Sequence, residues 1–424
     1  MKKHVMDSIA PSGLSSWSKA IGQNDRRKMS PWSLSFWSEA IEKAIGSFAA
    51  LSFAFLAACG DDSSSVSGDT SSDAQAVLDI GKMTLREKVG QMFFVRPEAL
   101  DTSIHWEAYT DLPDFKLQQV NKTMTAVNKD YPIGGMILYA HNIVDETQLA
   151  SFIKEIRQLN GSPLLAIDEE GGRVARIANN ENFDVPKYES MEAIAKTGDP
   201  NEAYKAAFTI GSYVKEYGFD IDFAPVADVN TNPENIVIGA RAFSDDPETA
   251  ADFVVSYLNG LDSAKVIGTL KHFPGHGDVQ TDTHYGYAET DKTWEEMLEC
   301  EMIPFKAGIE AGAQMIMTAH IAAPKVTGED VPATLSSVIL QDKLRGELGF
   351  KGVIVTDAMD MGAITNQFGN SEAAIKAIKA GVDVVLCSRE FVKVFDAVVE
   401  AVEKGEIKES RIDESVKRIL TLKE

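Results

Sequence analysis

The sequence has few cysteines and few basic side chains for its length. Its 424 residues include three Cys, and 41 Lys and Arg stand against 64 Asp and Glu, giving a formal net charge of -23. Cys59, Cys300 and Cys387 show no CxxC spacing, so neither a disulfide framework nor a thiolate zinc site is indicated. The acidic excess would repel a phosphate backbone, and nucleic acid is therefore not expected as a partner.

A hydrophobic run long enough to span a bilayer is also lacking. The apolar stretch at residues 44–58 has fifteen residues, whereas a spanning helix needs roughly 20. This length is typical of the hydrophobic region of a signal peptide. The stretch ends in Leu-Ala-Ala before Cys59, which resembles the lipobox of bacterial lipoproteins. A buried core helix with an incidental cysteine is the alternative.

These features predict two N-terminal parts. Residues 1–58 are expected to be a signal peptide, with Met29 as an alternative start, and Cys59 is expected to be the lipidated first residue of the mature chain. Residues 59–79 are rich in Ser and Asp and are typical of a flexible tether. We therefore expect a protein of the bacterial cell envelope, outside the cytoplasm, whose lipid anchor is its only membrane contact.

From residue 80 onward, short apolar runs alternate with longer amphipathic stretches, the pattern of strands and helices around a parallel sheet. An α/β fold with a single (β/α)8 TIM-type barrel over residues 80–424 is predicted. A doubly wound sheet is the alternative, but no GxGxxG follows the first strand and no GxxxxGK[ST] occurs. The eight predicted strands are residues 91–95, 135–139, 163–167, 221–226, 266–272, 314–320, 352–357 and 383–387.

The loop after the fifth predicted strand is the most polar. Five residues fall within thirteen positions there: His272, His276, Asp278, Asp282 and His284. Imidazole and carboxylate groups are metal ligands, but Asp282 beside His284 also suits a general acid/base pair. A third interpretation is that these residues only form turns and hydrogen bonds.

Asp357 directly follows the seventh predicted strand, so its carboxylate should emerge at the carboxyl-terminal mouth of the barrel. A buried carboxylate is costly unless it is paired or functional. Nucleophilic attack on an anomeric carbon would suit this position, and a helix N-cap is the alternative.

Three motifs together resemble glycoside hydrolase family 3, and more narrowly its β-N-acetylglucosaminidase (NagZ-type) branch. They are KHFPGHGD with DTH at residues 271–284, DEEGGRVAR at 168–176, and VTDAMDMGAI at 355–364. The resemblance implies a retaining mechanism through a covalent glycosyl-enzyme, without a metal or another cofactor. Two positions depart from the family pattern: Glu169 stands where Gln is common, and Val279 where Thr is frequent.

Residue by residue, the resemblance implies that Asp357 is the nucleophile and that His284 is the general acid/base, assisted by Asp282. The sugar before the scissile bond would be held by Asp168, Arg241, Lys271 and His272. Arg173 is expected to be structural, and His276 and Asp278 are expected to shape the loop that carries His284.

The expected function is that of a retaining exo-β-N-acetylglucosaminidase acting on peptidoglycan-derived or related glycans. An N-acetylglucosamine phosphorylase and another family 3 β-glycosidase stay open as alternatives. From other classes, a metal-dependent hydrolase and a non-catalytic glycan-binding lipoprotein remain. The expected partner is a glycan that contains N-acetylglucosamine. The oligomeric state is undetermined by the sequence, with a monomer as the expectation.

Overall fold

The computed structural model describes residues 80–104, 116–279, 282–284 and 286–424. The predicted signal peptide, Cys59 and the tether lie outside these residues. Among the described residues, no helix is both long and apolar enough to cross a membrane.

Eight parallel strands form a barrel, which confirms the predicted fold. Each barrel strand pairs with the next along the chain, and the last strand (Val385–Leu386) pairs with the first (Phe93–Val95). A parallel bridge between Val355 and Val384 brings the two ends of the sheet together. The strands are β1 (Phe93–Val95), β2 (Gly135–Leu138), β3 (Leu164–Ile167), a hairpin of β4 (Glu169–Gly171) and β5 (Val174–Ala175), β6 (Ile221–Asp222), β7 (Ile267–Phe273), β8 (Met315–Thr318), β9 (Val353–Thr356) and β10 (Val385–Leu386).

Helices surround the barrel between its strands. The α-helices are α1 (Leu85–Gln91), α2 (Lys122–Asp130), α3 (Glu146–Ile156), α4 (Met191–Ala195), α5 (Pro200–Glu216), α6 (Pro247–Ser263), α7 (Trp294–Leu298), α8 (Met302–Glu310), α9 (Pro324–Thr327), α10 (Gly362–Thr365), α11 (Asn370–Ala380), α12 (Phe391–Glu403) and α13 (Glu409–Thr421). A π-helix spans Val338–Glu347, and 3-10 turns span Pro97–Leu100, Ala140–Asn142, Gly239–Arg241 and Ala333–Leu335.

Local chemistry explains where several elements begin. Asp246 caps α6 by accepting the N–H of Thr249 at 2.8 Å, and Pro247 occupies the first helical position, where no N–H is needed. Asp145 caps α3 in the same way through the N–H of Gln148. The barrel strands are buried on both faces, which explains why they are continuous apolar runs in the sequence.

The observed elements differ from the predicted strands in several places. The strand predicted at 221–226 ends at Asp222, before Pro225, which has no N–H to give to the sheet. Residues 294–310 form two helices, α7 and α8, because Pro304 cannot donate to the carbonyl of Cys300 one turn earlier. The β4–β5 hairpin was not predicted, and it stands at the carboxyl end of β3.

Candidate active site

A cavity of about 630 Å³ opens at the carboxyl-terminal end of the barrel. Its floor is apolar and consists of side chains from the barrel strands or directly after them: Ile137, Phe223, Met317 and Leu386. Six of the predicted site residues line it: Asp168, Arg241, Lys271, His272, His284 and Asp357. The seventh, Asp282, is bonded to His284. Parallel strands explain this convergence, since their carboxyl ends all lie at one edge of the barrel.

One wall of the cavity is a network of paired charges. The Lys271 ammonium lies 3.0 Å from an oxygen of Asp168 and 2.5 Å from an oxygen of Glu170. Arg241 donates to both oxygens of Glu170, at 2.8 and 2.7 Å. Arg176 lies 3.1 Å from the other oxygen of Asp168. Three cations thus share two carboxylates, which leaves this wall with an excess of one positive charge.

The pairing keeps both carboxylates ionised. Burial alone would raise the pKa of Asp168, but Lys271 and Arg176 hold it well below its ordinary value. The same opposition applies to Glu170, where Arg241 and Lys271 outweigh burial and lower the pKa to about 2. The carboxylates therefore act as hydrogen-bond acceptors throughout the neutral pH range.

A second carboxylate network fixes His272. Asp228 is fully buried, and its Oδ2 lies 2.7 Å from Nδ1 of His272. The backbone N–H of His272 also points at this carboxylate, and that of His276 donates to its Oδ1 at 2.7 Å. A carboxylate at Nδ1 fixes the ring orientation and leaves Nε2 of His272 as its other polar atom.

The Asp282–His284 pair lies at the mouth of the cavity. Nδ1 of His284 is 2.7 Å from Oδ1 of Asp282, and the same oxygen accepts the His284 backbone N–H at 2.9 Å. Burial raises the pKa of Asp282, but its bonds with the backbone and ring of His284 lower it overall. The side chain of His284 is 60% exposed, so Nε2 is accessible to a bound molecule and to water.

Asp357 follows β9 directly and reaches the cavity from the strand end. Its backbone N–H donates to the carbonyl of Thr318, and its Oδ1 accepts the N–H of Ala358 at 2.7 Å. Burial raises its pKa, but His272, His320 and the Ala358 N–H lower it below the ordinary value. The side chain is consequently an ionised carboxylate beside the cavity at neutral pH.

The opposite wall has a separate ion pair. Arg96, which follows β1, lies 2.8 Å from Asp360, and Arg389 donates to the Asp360 carbonyl. The Arg96 guanidinium also covers the ring of Tyr139 at 4.6 Å. Burial raises the pKa of Asp360 despite the charge of Arg96. These residues give the cavity a charged wall on the side of β1 and β10.

Glu169, one of the two departures from the family pattern, points away from the cavity. Its carboxylate accepts the N–H groups of Arg176, Ile177 and Ala178 and the hydroxyl of Tyr213. It thereby anchors the segment after the hairpin, and in that way supports Arg176. Arg173 donates to the carbonyl of Val237 and lies outside the cavity lining.

Sequence reasoning missed several residues of the site: Arg96, Glu170, Arg176, Asp228, Asp360 and Arg389. Glu170 could have been found, because residues two positions apart in an extended segment share a side and Asp168 was already selected. Arg176 closes the DEEGGRVAR motif and was also available. Asp228 lies 44 residues before His272, and no local pattern indicated their contact.

The histidines of the fifth loop are not gathered around one point. Nδ1 of His272 faces Asp228, and Nε2 of His276 faces Thr283. In the part of the chain that the structure describes, no group of three or more His, Cys, Asp or Glu side chains has the arrangement of a metal site.

Comparison with known proteins identifies the family of this chain. Residues 84–422 match the glycosyl hydrolase family 3 N-terminal domain. A β-hexosaminidase of Stenotrophomonas maltophilia (strain K279a) is 38% identical over 63% of this chain and 82% of its own length. β-Hexosaminidase A of Pseudoalteromonas piscicida is 35% identical over 69% of this chain, and the match spans only 53% of that relative.

A solved structure is similar over most of the described fold. The family 3 β-N-acetylglucosaminidase from Paenibacillus sp. strain FPU-7 has a TM-score of 0.71 and 36% identity, and the match covers 80% of this chain and 62% of that one. This structural similarity and the family match at residues 84–422 agree with the architecture described above. The chain therefore belongs to glycosyl hydrolase family 3.

Proposed function

We propose that this chain is a retaining exo-β-N-acetylglucosaminidase that acts on peptidoglycan-derived or related glycans. The observation that carries the proposal is the placement of the Asp357 carboxylate and the His284–Asp282 pair at one cavity. The two curated relatives bear the name β-hexosaminidase, and the Paenibacillus structure is that of a β-N-acetylglucosaminidase. These names support the same activity here.

The first chemical step would be attack by Asp357. Its lowered pKa keeps it ionised, so an oxygen can bond to the anomeric carbon as the bond to the leaving oxygen breaks. Protonated His284 would give its Nε2 proton to that oxygen, because Nδ1 is engaged by Asp282. The leaving sugar departs as a neutral alcohol, and the first sugar remains esterified to Asp357.

The second step would reverse these roles. Neutral His284 takes a proton from a water molecule, whose oxygen attacks the anomeric carbon and displaces the Asp357 carboxylate. Two inversions at the same carbon retain the original configuration. Asp282 would stabilise the protonated ring in the first step and hold the ring orientation in both.

The closed floor of the cavity supports an exo mode of action. Apolar side chains from the barrel strands line the bottom of the cavity, so a terminal sugar would bind there with the rest of the glycan toward the mouth. Asp168, Lys271, Arg241 and His272 would bind that terminal sugar through its hydroxyl and acetamido groups. A bidentate guanidinium and an ionised carboxylate suit such oxygens and N–H groups.

Product analysis tests the proposal. Purified enzyme is incubated with an aryl N-acetyl-β-glucosaminide or with purified muropeptides, with and without phosphate, and the products are followed by proton NMR and mass spectrometry. We expect β-N-acetylglucosamine as the first-formed sugar. An α-configured first product would contradict the retaining mechanism. Cleavage of an aryl β-glucoside alone would instead assign another family 3 specificity, and binding without products would indicate a glycan-binding protein.

Phosphorolysis is the second candidate, because His284 is neutral after the first step. A neutral ring does not repel an anionic acceptor as a second carboxylate would, so phosphate could replace water. In that case N-acetylglucosamine 1-phosphate should appear in the presence of phosphate and should exceed the free sugar.

We further propose that Cys59 carries a lipid anchor that holds the enzyme at a membrane of the bacterial envelope. Cys59 and the tether lie outside the described residues, and the proposal depends on the apolar run and the Leu-Ala-Ala-Cys sequence. Mass spectrometry of the native protein should show an N-terminus at a lipid-modified Cys59, and Cys59→Ala should shift the enzyme from the membrane fraction to the soluble fraction. An unprocessed, unlipidated native chain would exclude the anchor.

A further inference from the structure

Thr283 lies between the two members of the acid/base pair, and its buried side chain lines the cavity beside that of His276. Thr283 is 1% exposed, and its Oγ1 lies 3.2 Å from Nε2 of His276, a ring that is only 2% exposed. The neighbouring His284 side chain, by contrast, is mostly in solvent. Among the described residues, the Thr283–His276 contact is therefore a buried side-chain anchor between Asp282 and the exposed His284.

The surroundings of His276 indicate which atom carries its proton. Among the described residues, Nδ1 of His276 is buried without a hydrogen-bond partner. A buried N–H without an acceptor is costly, so the tautomer with hydrogen on Nε2 is favoured, and it donates to Thr283 Oγ1. Burial and the nearby His272 lower the pKa of His276, which keeps this ring neutral.

His276 is itself held on both sides of its backbone. Its N–H donates to Oδ1 of Asp228 at 2.7 Å, and its carbonyl accepts from the amide of Asn235 at 2.7 Å. Asp228 also binds the ring of His272, which lines the cavity. One buried carboxylate thus fixes both a wall of the cavity and the ring that meets Thr283.

The other side of the 282–284 segment is held by the helix that follows Asp357. The N–H of Gly362, at the start of α10, donates to the His284 carbonyl at 3.0 Å, and the N–H of Ala363 donates to the Thr283 carbonyl at 3.1 Å. These bonds fix the backbone relative to the strand that carries the nucleophile. The Thr283–His276 contact adds a side-chain bond to these two backbone bonds.

We infer that His276 and Thr283 are positioning residues, whose hydrogen bond sets the direction in which His284 presents Nε2 to the leaving oxygen. A general acid must lie within hydrogen-bond reach of the oxygen it protonates, so a small rotation of an exposed ring reduces proton transfer. The inference rests on the proposed function, since it assigns His276 and Thr283 to the step performed by His284.

The test uses Thr283→Val, which preserves the shape of the side chain and removes the hydroxyl. A misaligned acid should matter only when the leaving group needs a proton. We expect kcat/KM for chitobiose to fall by at least about tenfold, and kcat/KM for 2,4-dinitrophenyl N-acetyl-β-glucosaminide to change by less than about twofold. His284→Ala should show the same selectivity with a larger loss for chitobiose.

Four further variants separate positioning from general damage. Thr283→Ser keeps the hydroxyl and should restore chitobiose cleavage to within about threefold of the parent enzyme. His276→Phe should reproduce the Thr283→Val effect, and the double variant should be no worse than either single one, because one bond is removed in all three. Thr290→Val is the matched control. Thr290 lies in the same loop between β7 and α7 and is also buried, but its hydroxyl bonds to Asp278 and not to His276.

The outcomes distinguish the inference from the proposed function. If the parent enzyme cleaves neither substrate, the proposed function is wrong and the inference fails with it. A second outcome is that the parent enzyme is active while Thr283→Val and His276→Phe lower kcat/KM equally for both substrates, or for neither. In that case His276 and Thr283 do not position the acid. Should Thr283→Val fail to fold by circular dichroism, His276→Phe and Thr283→Ser still decide the question.

Discussion

Asp357→Asn is expected to lower kcat/KM for an aryl N-acetyl-β-glucosaminide by at least about 10⁴-fold. The amide has nearly the shape of the carboxylate, and its oxygen can still accept the Ala358 N–H. It is neutral and a poor nucleophile, so the covalent intermediate should not form. Substrate binding should persist, because the network around Asp168 and Lys271 does not include Asp357.

Steady-state kinetics and isothermal titration with chitobiose would separate these effects. Asp252→Asn, on the exposed side of α6, is a matched control and should keep the parent rate. In Asp357→Ala, azide can enter the vacated space and attack the anomeric carbon from the nucleophile's side. The expected product is the α-glycosyl azide. Turnover of Asp357→Asn within tenfold of the parent would remove Asp357 from the nucleophile's role.

Asp383→Ala is expected to reduce the free energy of unfolding by about 3–5 kcal/mol, although Asp383 does not line the cavity. Asp383 precedes β10, and its carboxylate is fully buried. It lies 2.5 Å from Arg345 and 2.9 Å from Arg418, and Arg411 is 3.7 Å away. Burial, together with Arg418 and Arg411, lowers the pKa of Arg345 to about 10, and the charge of Asp383 opposes this shift.

The contacts of Asp383 explain why its removal should destabilise the whole fold. It also accepts the Ser415 hydroxyl and the Ile354 N–H, so one side chain joins the π-helix, α13, β9 and β10. Urea unfolding followed by circular dichroism measures the effect. Glu372→Ala removes the exposed pair with Lys376 on α11 and should cost less than about 1 kcal/mol. Equal losses of unfolding free energy in the two variants would show that the buried cluster stabilises the fold no more than the exposed ion pair does.

The barrel was largely predictable because its strands are buried on both faces. Each is a short apolar run between polar segments, so periodicity and turn residues locate it without knowledge of the rest of the chain. The bounds were less accurate, and most predicted strands extend beyond the observed pairing. A strand ends where its neighbour stops offering hydrogen bonds, which the local sequence does not encode.

Some residues of the candidate site were likewise predictable from the sequence, and others were not. Asp168 and Asp357 directly follow apolar runs, and the barrel geometry alone places them at one mouth. The pairing of Glu170 with Arg241 and Lys271 was not foreseen, because these residues are 71 and 101 positions apart and meet only when β3, β6 and β7 align. The roles assigned to Asp357, His284 and Asp282 remain predictions until the variants are measured.

By itself, the sequence determined the fold class, the family and which motif side chains would meet at the carboxyl end of the barrel, because parallel strands bring their ends together whatever their exact register. The tertiary structure decided which charges pair, as in Glu170 with Arg241, Asp228 with His272 and Asp383 with its arginines. A hydrogen bond requires two atoms within about 3 Å. That precision depends on register and packing summed over the whole chain, which no local pattern contains.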